Sequence, residues 1–209
     1  MTETIIRRDS KKTAERILQA ATDEFTEKGF GGARVDAVAL RANSNKRMIY
    51  HYFGNKDQLF LAVLEQAYAK IRTQEHELHL EDIEPEQAVR TLVRFTFNYF
   101  VENPEFIHLL NSENLHKAAH IKESKKILAM RSPLIEKITD VLNRGGTSGL
   151  FRTGVDPTQF YITVASLGYF YLSNSYTLET VFGRSLMEEK ALNERLSHCE
   201  EVVLGYLRP

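Results

Sequence analysis

The chain has 209 residues, 43% of them hydrophobic, a formal net charge of −1 and one cysteine. That apolar content supports a full core in one large domain or two small ones, while a lone Cys199 excludes an intrachain disulfide and no apolar run approaches the ~18 residues of a membrane span. Charge is unevenly placed: residues 1–56 carry 11 Lys/Arg against 7 Asp/Glu, and the remaining 153 carry 16 against 21, so only the basic head is a candidate for an anionic partner.

The N-terminal MTETIIRRDSKK has no apolar stretch of secretory length, and a soluble, cytoplasmic protein is expected. Helical periodicity governs the rest of the chain. Ala14, Ile17, Leu18, Ala21 and Phe25 share one face of a first helix, with Asp9 or Ser10 to cap its start and Gly29 as the left-handed residue at its end. Val35, Val38 and Ala39 mark a short second helix. Asn43-Ser44-Asn45 is a tight break, because Asn tolerates positive φ. A third short helix covers about residues 45–52. Gly54-Asn55 ends it, and Asn55 caps a fourth helix carrying Leu59, Phe60, Val63, Leu64, Ala67 and Ile71. Pro85 suits the first turn of a fifth helix that reaches about Val101, and Asn103-Pro104 separates it from a shorter sixth. A seventh is expected over about residues 118–144, broken near Pro133 and closed at Gly145-Gly146. Asp156-Pro157-Thr158-Gln159 starts an eighth that runs to about Leu178. Ser185 with Glu188 has the spacing of a capping box for a ninth, which carries Leu192, Leu196, Cys199, Val203 and Leu207. No segment has strand character. The expected fold is all-α with about nine helices: an N-terminal helix-turn-helix domain of three helices over residues 1–56, and a larger helical domain over 57–209.

Two short helices joined by a three-residue turn and packed on a longer one make a helix-turn-helix, whose second helix enters the DNA major groove. Ile49 and Phe53 are its inward pair, so Lys46, Arg47, Tyr50 and His51 point elsewhere. Arg pairs bidentately with guanine, and Lys and Tyr reach phosphates. Lys56 opens the fourth helix, where free N–H groups and a cation together suit a phosphate. By themselves, Lys46 and Arg47 would equally suit a solvated face. The candidate DNA-contact set is Arg34, Ser44, Asn45, Lys46, Arg47, Met48, Tyr50, His51 and Lys56.

Residues 13–60 resemble the DNA-binding domain of the tetracycline-repressor (TetR/AcrR) family of bacterial one-component regulators. The matching pieces are RILQAATDEFTEKGF, VDAVALRA, MIYHYF and NKDQLF. The resemblance implies an all-α homodimer whose C-terminal domain binds a small effector; two-fold symmetry then calls for double-stranded inverted-repeat operator DNA as partner, and no cofactor and no membrane association are expected. The sequence departs from the family in three places. Asn43-Ser44-Asn45 stands where Gly-Val-Ser is usual; Asn45 replaces Ser as a cap. Arg47-Met48 stands where Gly-Thr is usual, which changes operator preference. Ala33-Arg34 replaces a Thr/Ser pair, losing a hydroxyl cap and placing Arg34 near phosphate. The function expected is a sequence-specific DNA-binding transcriptional regulator, a repressor released by a small molecule. The alternatives are an activator, a ligand-independent regulator, or a small-molecule carrier or enzyme on a helical scaffold. The chain contains no G-x-S-x-G, P-loop or G-x-G-x-x-G, and GFGG at 29–32 closes a helix instead of following a strand.

Residues 144–174 resemble the effector and dimerisation domain of one subgroup of that family. By analogy, Phe160, Val164, Leu167, Gly168 and Tyr171 of the eighth helix, with Leu196 and Val203 of the ninth, are candidates for a four-helix dimer interface. The other reading is ordinary core within one subunit. Polar groups among aromatics nominate Phe100, Asn111, His116, Tyr169 and Asn174 as effector-binding residues, for an organic acid or other oxygen-bearing ligand, unless Glu113 faces inward and favours a cation. His116 and His120 are four apart, but no cysteine joins them and no metal site is expected.

Overall fold

The computed structural model describes residues 2–130 and 134–209, with side chains from residue 11 onward, and its regular elements there are all helical. They are α1 (Thr2–Gly32), α2 (Val35–Arg41), α3 (Lys46–Phe53), α4 (Lys56–His76), α5 (Pro85–Glu102), α6 (Pro104–Leu115), a 3-10 turn (Ile121–Glu123), α7 (Lys125–Ala129), α8 (Leu134–Thr147), α9 (Pro157–Ser173), α10 (Ser175–Phe182) and α11 (Glu189–Leu207). Among these residues no helix is long and apolar enough to cross a membrane.

The surplus over nine helices has local causes. The expected seventh helix does not begin at residue 118, since Lys117 and Ala118 both take φ 58, and the 3-10 turn, α7 and α8 stand in its place. The break expected at Pro133 lies outside the described residues. The expected eighth helix divides at Asn174, whose backbone N–H and side-chain amide both return to the Phe170 carbonyl. The Ser185 capping box does not form: α11 starts at Glu189 behind Glu188, which makes no side-chain cap bond. Instead Glu179 of α10 accepts the N–H groups of Leu186 and Met187 and holds that loop. Nor do Asp9 and Ser10 start the first helix, since its backbone is already helical from Thr2. Gly29 does end it, at φ 63 and ψ 173, a conformation open only to glycine; one further turn comes after it.

The chain forms two compact units: Met1–Lys70 with Glu105–Arg131, and Ile71–Pro104 with Ser132–Pro209. This division falls within α4, whereas the sequence suggested one after residue 56, and it assigns α6 to the first unit. The first unit packs α1 to α4 around Ile17, Phe25, Val38, Ile49, Leu59, Phe60 and Leu64, all almost fully buried. Burying each such side chain contributes roughly 1.5–3 kcal/mol. The second unit is centred on α5, against which α8, α9 and α11 pack through Leu92, Phe97, Ile138, Phe160, Val164, Val203 and Leu207. Cys199 is part of the same core, and burial pushes its thiol pKa up.

The residues expected at a dimer interface lie in or against that core. Phe160, Val164, Gly168, Tyr171 and Val203 are buried inside the protomer, and Leu167 and Leu196 are partly buried against the same cluster. A Cβ at Gly168 would lie 3.3 Å from the Phe97 ring and 3.5 Å from that of Phe100, so its missing side chain admits α5. Helix α9 is apolar on several faces, so periodicity alone could not tell the inner stripe from the outer one. The outward apolar side chains are Ile162 and Phe170 on α9 and Val202 and Tyr206 on α11.

Candidate nucleic-acid interface

Helix α2 ends in a complete Schellman motif. The Ser44 N–H bonds to the Ala39 carbonyl and the Asn43 N–H to the Leu40 carbonyl, with Asn43 at φ 43. Arg16 of α1 donates to the remaining Ala42 carbonyl at 2.6 Å. One residue later, the Asn45 side chain accepts the Met48 N–H at 2.9 Å and starts α3. The turn angle between the two helices is therefore set by Asn43, Asn45 and Arg16 together.

At the other end of α2, Arg34 makes no side-chain cap bond. Its N–H is taken instead by Glu24 of α1, a buried carboxylate that also lies 3.3 Å from Arg41. Arg41 forks onto Glu27 with its two terminal nitrogens. Sequence reasoning missed Glu24, although a carboxylate in register with Ile17 and Ala21 was a visible sign of a buried polar contact.

On α3, Ile49 is buried and Phe53 packs partly against the core, which leaves Lys46, Arg47, Tyr50 and His51 exposed together with Asn45 and Arg34. Among the described residues, no carboxylate pairs with Arg47. Lys46, by contrast, sits 3.1 Å from Asp36 of α2, and that hydrogen bond raises its pKa. Ser44 is half-buried. Met48 is half-buried: its side chain packs partly on the core and its N–H is used by Asn45, so it shapes the helix start. The Lys56 ammonium lies 4.8 Å from the Phe30 ring centroid at the first turn of α4, which Asn55 caps through the Gln58 N–H at 2.8 Å. The outer surface of this helix-turn-helix thus carries one unpaired guanidinium in the first turn of α3, flanked by cations suited to phosphate.

Behind α4, Phe30 is the hub of a ring cluster with Phe60, His116 and His120. His116 bonds through Nδ1 to the Ser112 carbonyl at 2.8 Å. A carbonyl only accepts, so Nδ1 carries the proton and Nε2 of the neutral ring is an acceptor. Glu113 is buried and fully engaged, taking the N–H groups of His120 and Ile121 and Nδ1 of the His120 ring. Of the effector candidates, Phe100 and Tyr169 meet in the second unit with ring centroids 6.1 Å apart, and Asn174 caps α9 there. Asn111 and His116 belong to the first unit.

Residues 17–63 match the model for bacterial regulatory proteins of the tetR family, and residues 85–203 match that for the tetracyclin repressor-like C-terminal domain. The chain is 38% identical over 197 residues to the HTH-type transcriptional repressor NicS of Pseudomonas putida, covering 94% of this chain and 93% of that protein. It is 25% identical over 200 residues to the HTH-type transcriptional regulator RutR of Escherichia coli K12, covering 96% and 92%. Two solved structures share the fold: a tetR-family regulatory protein from Rhodococcus RHA1, with TM-score 0.73, 17% identity and 94% and 97% of the two chains covered, and the regulator PfmR from Thermus thermophilus, with TM-score 0.68, 24% identity and 93% and 100% covered.

Proposed function

This chain belongs to the TetR family of DNA-binding transcriptional regulators, and from that premise we propose that it is a homodimeric repressor released from an inverted-repeat operator by a small organic molecule. It is a regulator and not an enzyme. The observation that carries repression is the match, over nearly the whole of both chains, to a protein named as a transcriptional repressor. DNA recognition falls to α3, with Arg47 reading a base and Lys46, Tyr50, Lys56 and Arg34 on the backbone. Two-fold symmetry in the protein would impose the inverted repeat. The outward side chains Ile162, Phe170, Val202 and Tyr206 supply an apolar surface for the partner subunit. The effector would be held by Phe100, Tyr169 and Asn174, with Asn111 and His116 on the first unit responding to it. Because the Glu113 carboxylate is already bonded three times, it gives a cationic ligand no anchor, and an oxygen-bearing ligand remains the reading.

A gel shift with DNA upstream of the gene and its neighbours tests this. A retarded band that survives excess random-sequence DNA is expected, together with higher transcription of the bound promoter when the gene is deleted. No preferential binding would overturn the operator reading. Lower transcription in the deletion would make the protein an activator.

A further inference from the structure

We infer that the turn after α6 carries a second set of DNA-backbone contacts, through Lys117 and Lys122, beside the one at Lys56. The inference rests on DNA binding by the first unit, to which α3, the first part of α4 and this turn all belong.

Residues 57–209 are acidic overall, yet residues 116–126, HKAAHIKESKK, hold four lysines against one glutamate. All four lysines are exposed. Lys126 is paired with Glu65 of α4 at 2.7 Å. Lys117 and Lys122 have no carboxylate partner among the described residues, and the Lys122 ammonium donates to the Lys117 backbone carbonyl at 3.0 Å, which folds the Lys122 side chain back onto the turn that carries Lys117.

The location of that turn is fixed by its ring contacts. His116 packs on Phe30 at 4.9 Å between centroids, and His120 packs on Phe30 and Phe60 at 4.7 and 4.9 Å. Phe30 is the ring that carries the Lys56 ammonium. Nε2 of His120 lies 3.5 Å from Asp57, the residue after Lys56. The lysine pair is therefore beside the first turn of α4, the turn that directly succeeds the recognition helix.

The turn is also held in a costly shape. Lys117 and Ala118 both take φ 58, a left-handed conformation that is unfavourable for a residue with a side chain. The Glu113 carboxylate braces it from inside, on two backbone N–H groups and the His120 ring. A lysine that only solvates a surface works equally well on a loose loop. A lysine that must meet a phosphate gains from a fixed position, and local strain maintained by a buried brace marks a segment whose shape matters.

The test is a salt titration of operator binding by intact Lys117→Ala/Lys122→Ala protein, with Lys125→Ala as control and a thermal melt to show that both variants fold as wild type does. Each phosphate contact contributes about 0.9 to the slope of log K against log salt. With two lysines lost from each subunit of the dimer, the double variant should lower the slope by about 3.6 units, weaken operator and random DNA by the same factor, and leave the control unchanged. An unchanged slope would make these lysines a solvated face and overturn the inference. So would a loss confined to the operator, which would signal base contact. If the wild-type protein itself gave no retarded complex, the operator reading would fail first; wild-type binding with an unchanged double variant sinks this inference alone.

Discussion

Arg47 and Lys46 are neighbours in the sequence with different circumstances in the fold. Lys46 is held by Asp36 and must exchange a carboxylate for a phosphate, whereas Arg47 projects from the first turn of α3 with its fork unused. Arg47→Ala should therefore cost about 1–3 kcal/mol on the operator and relax base choice at one position. Lys56→Ala should weaken all DNA similarly and lower the salt slope by about one unit per subunit, or about 1.8 for the dimer. Affinities measured on single-base operator variants at several salt concentrations separate the two, and an unchanged slope for Lys56→Ala would remove it from the backbone set. The residues that act on their own local backbone were legible in the sequence: Asn43, Asn45, Asn55 and Asp156 all do what their types and offsets suggested. Contacts between helices, such as Asp36 with Lys46 or Glu24 with Arg34, leave no short-range pattern.

Helix boundaries were readable where Pro, Gly or a capping Asn announces them, and unreadable where tertiary bonds cut a helix. Nothing in HKAAH signals two left-handed residues, because the Glu113 carboxylate that stabilises them acts through the fold. The packing of α11 on α5 is similar in kind. Glu200 of α11 is nearly buried and accepts from Arg90 at 2.8 Å and from Arg94. Burial pushes its carboxyl pKa up, but the hydrogen bonds from Arg94 and Arg90 outweigh this and leave it below the ordinary value of 4.5. A depressed folded-state pKa means that the stabilisation is complete above the unfolded value and is lost as pH falls through the folded one. Glu200→Gln should cost roughly 1–3 kcal/mol near neutral pH and flatten the decline of Tm below about pH 4.5. Parallel declines in the two proteins would show that this clamp does not contribute to the acid limb.

At the scale of the molecule, the all-α class and the basic head were legible from periodicity and charge, while the faces of α9 were not. Gly168 faces Phe97 and Phe100 of α5 within the protomer. Gly168→Leu should lower Tm by forcing apart α5 and α9, while Phe170→Glu should leave Tm nearly unchanged and shift the protein towards monomer in light scattering at micromolar concentration. A wild-type monomer there, or dimers that survive Phe170→Glu, would remove this face from the interface. Release by an effector demands more than binding. A ligand with equal affinity for the DNA-bound and free conformations shifts nothing, and moving operator occupancy from 99:1 to 1:99 takes about 10⁴-fold preference for the free form. Helix α4 is the covalent route for that preference, since its first part belongs to the unit that carries α3 and its last part to the unit that carries Phe100 and Tyr169. In a thermal-shift screen of organic acids, aromatic compounds and cationic drugs, the compounds that both raise Tm and abolish the gel shift should be oxygen-bearing. Their affinity should fall by at least about tenfold, or ~1.4 kcal/mol, in Phe100→Ala or Asn174→Ala. A hit that raises Tm but leaves the complex intact binds both conformations and is not the effector. If the releasing compound is a cation whose affinity survives both substitutions, the ligand class and the site are both wrong.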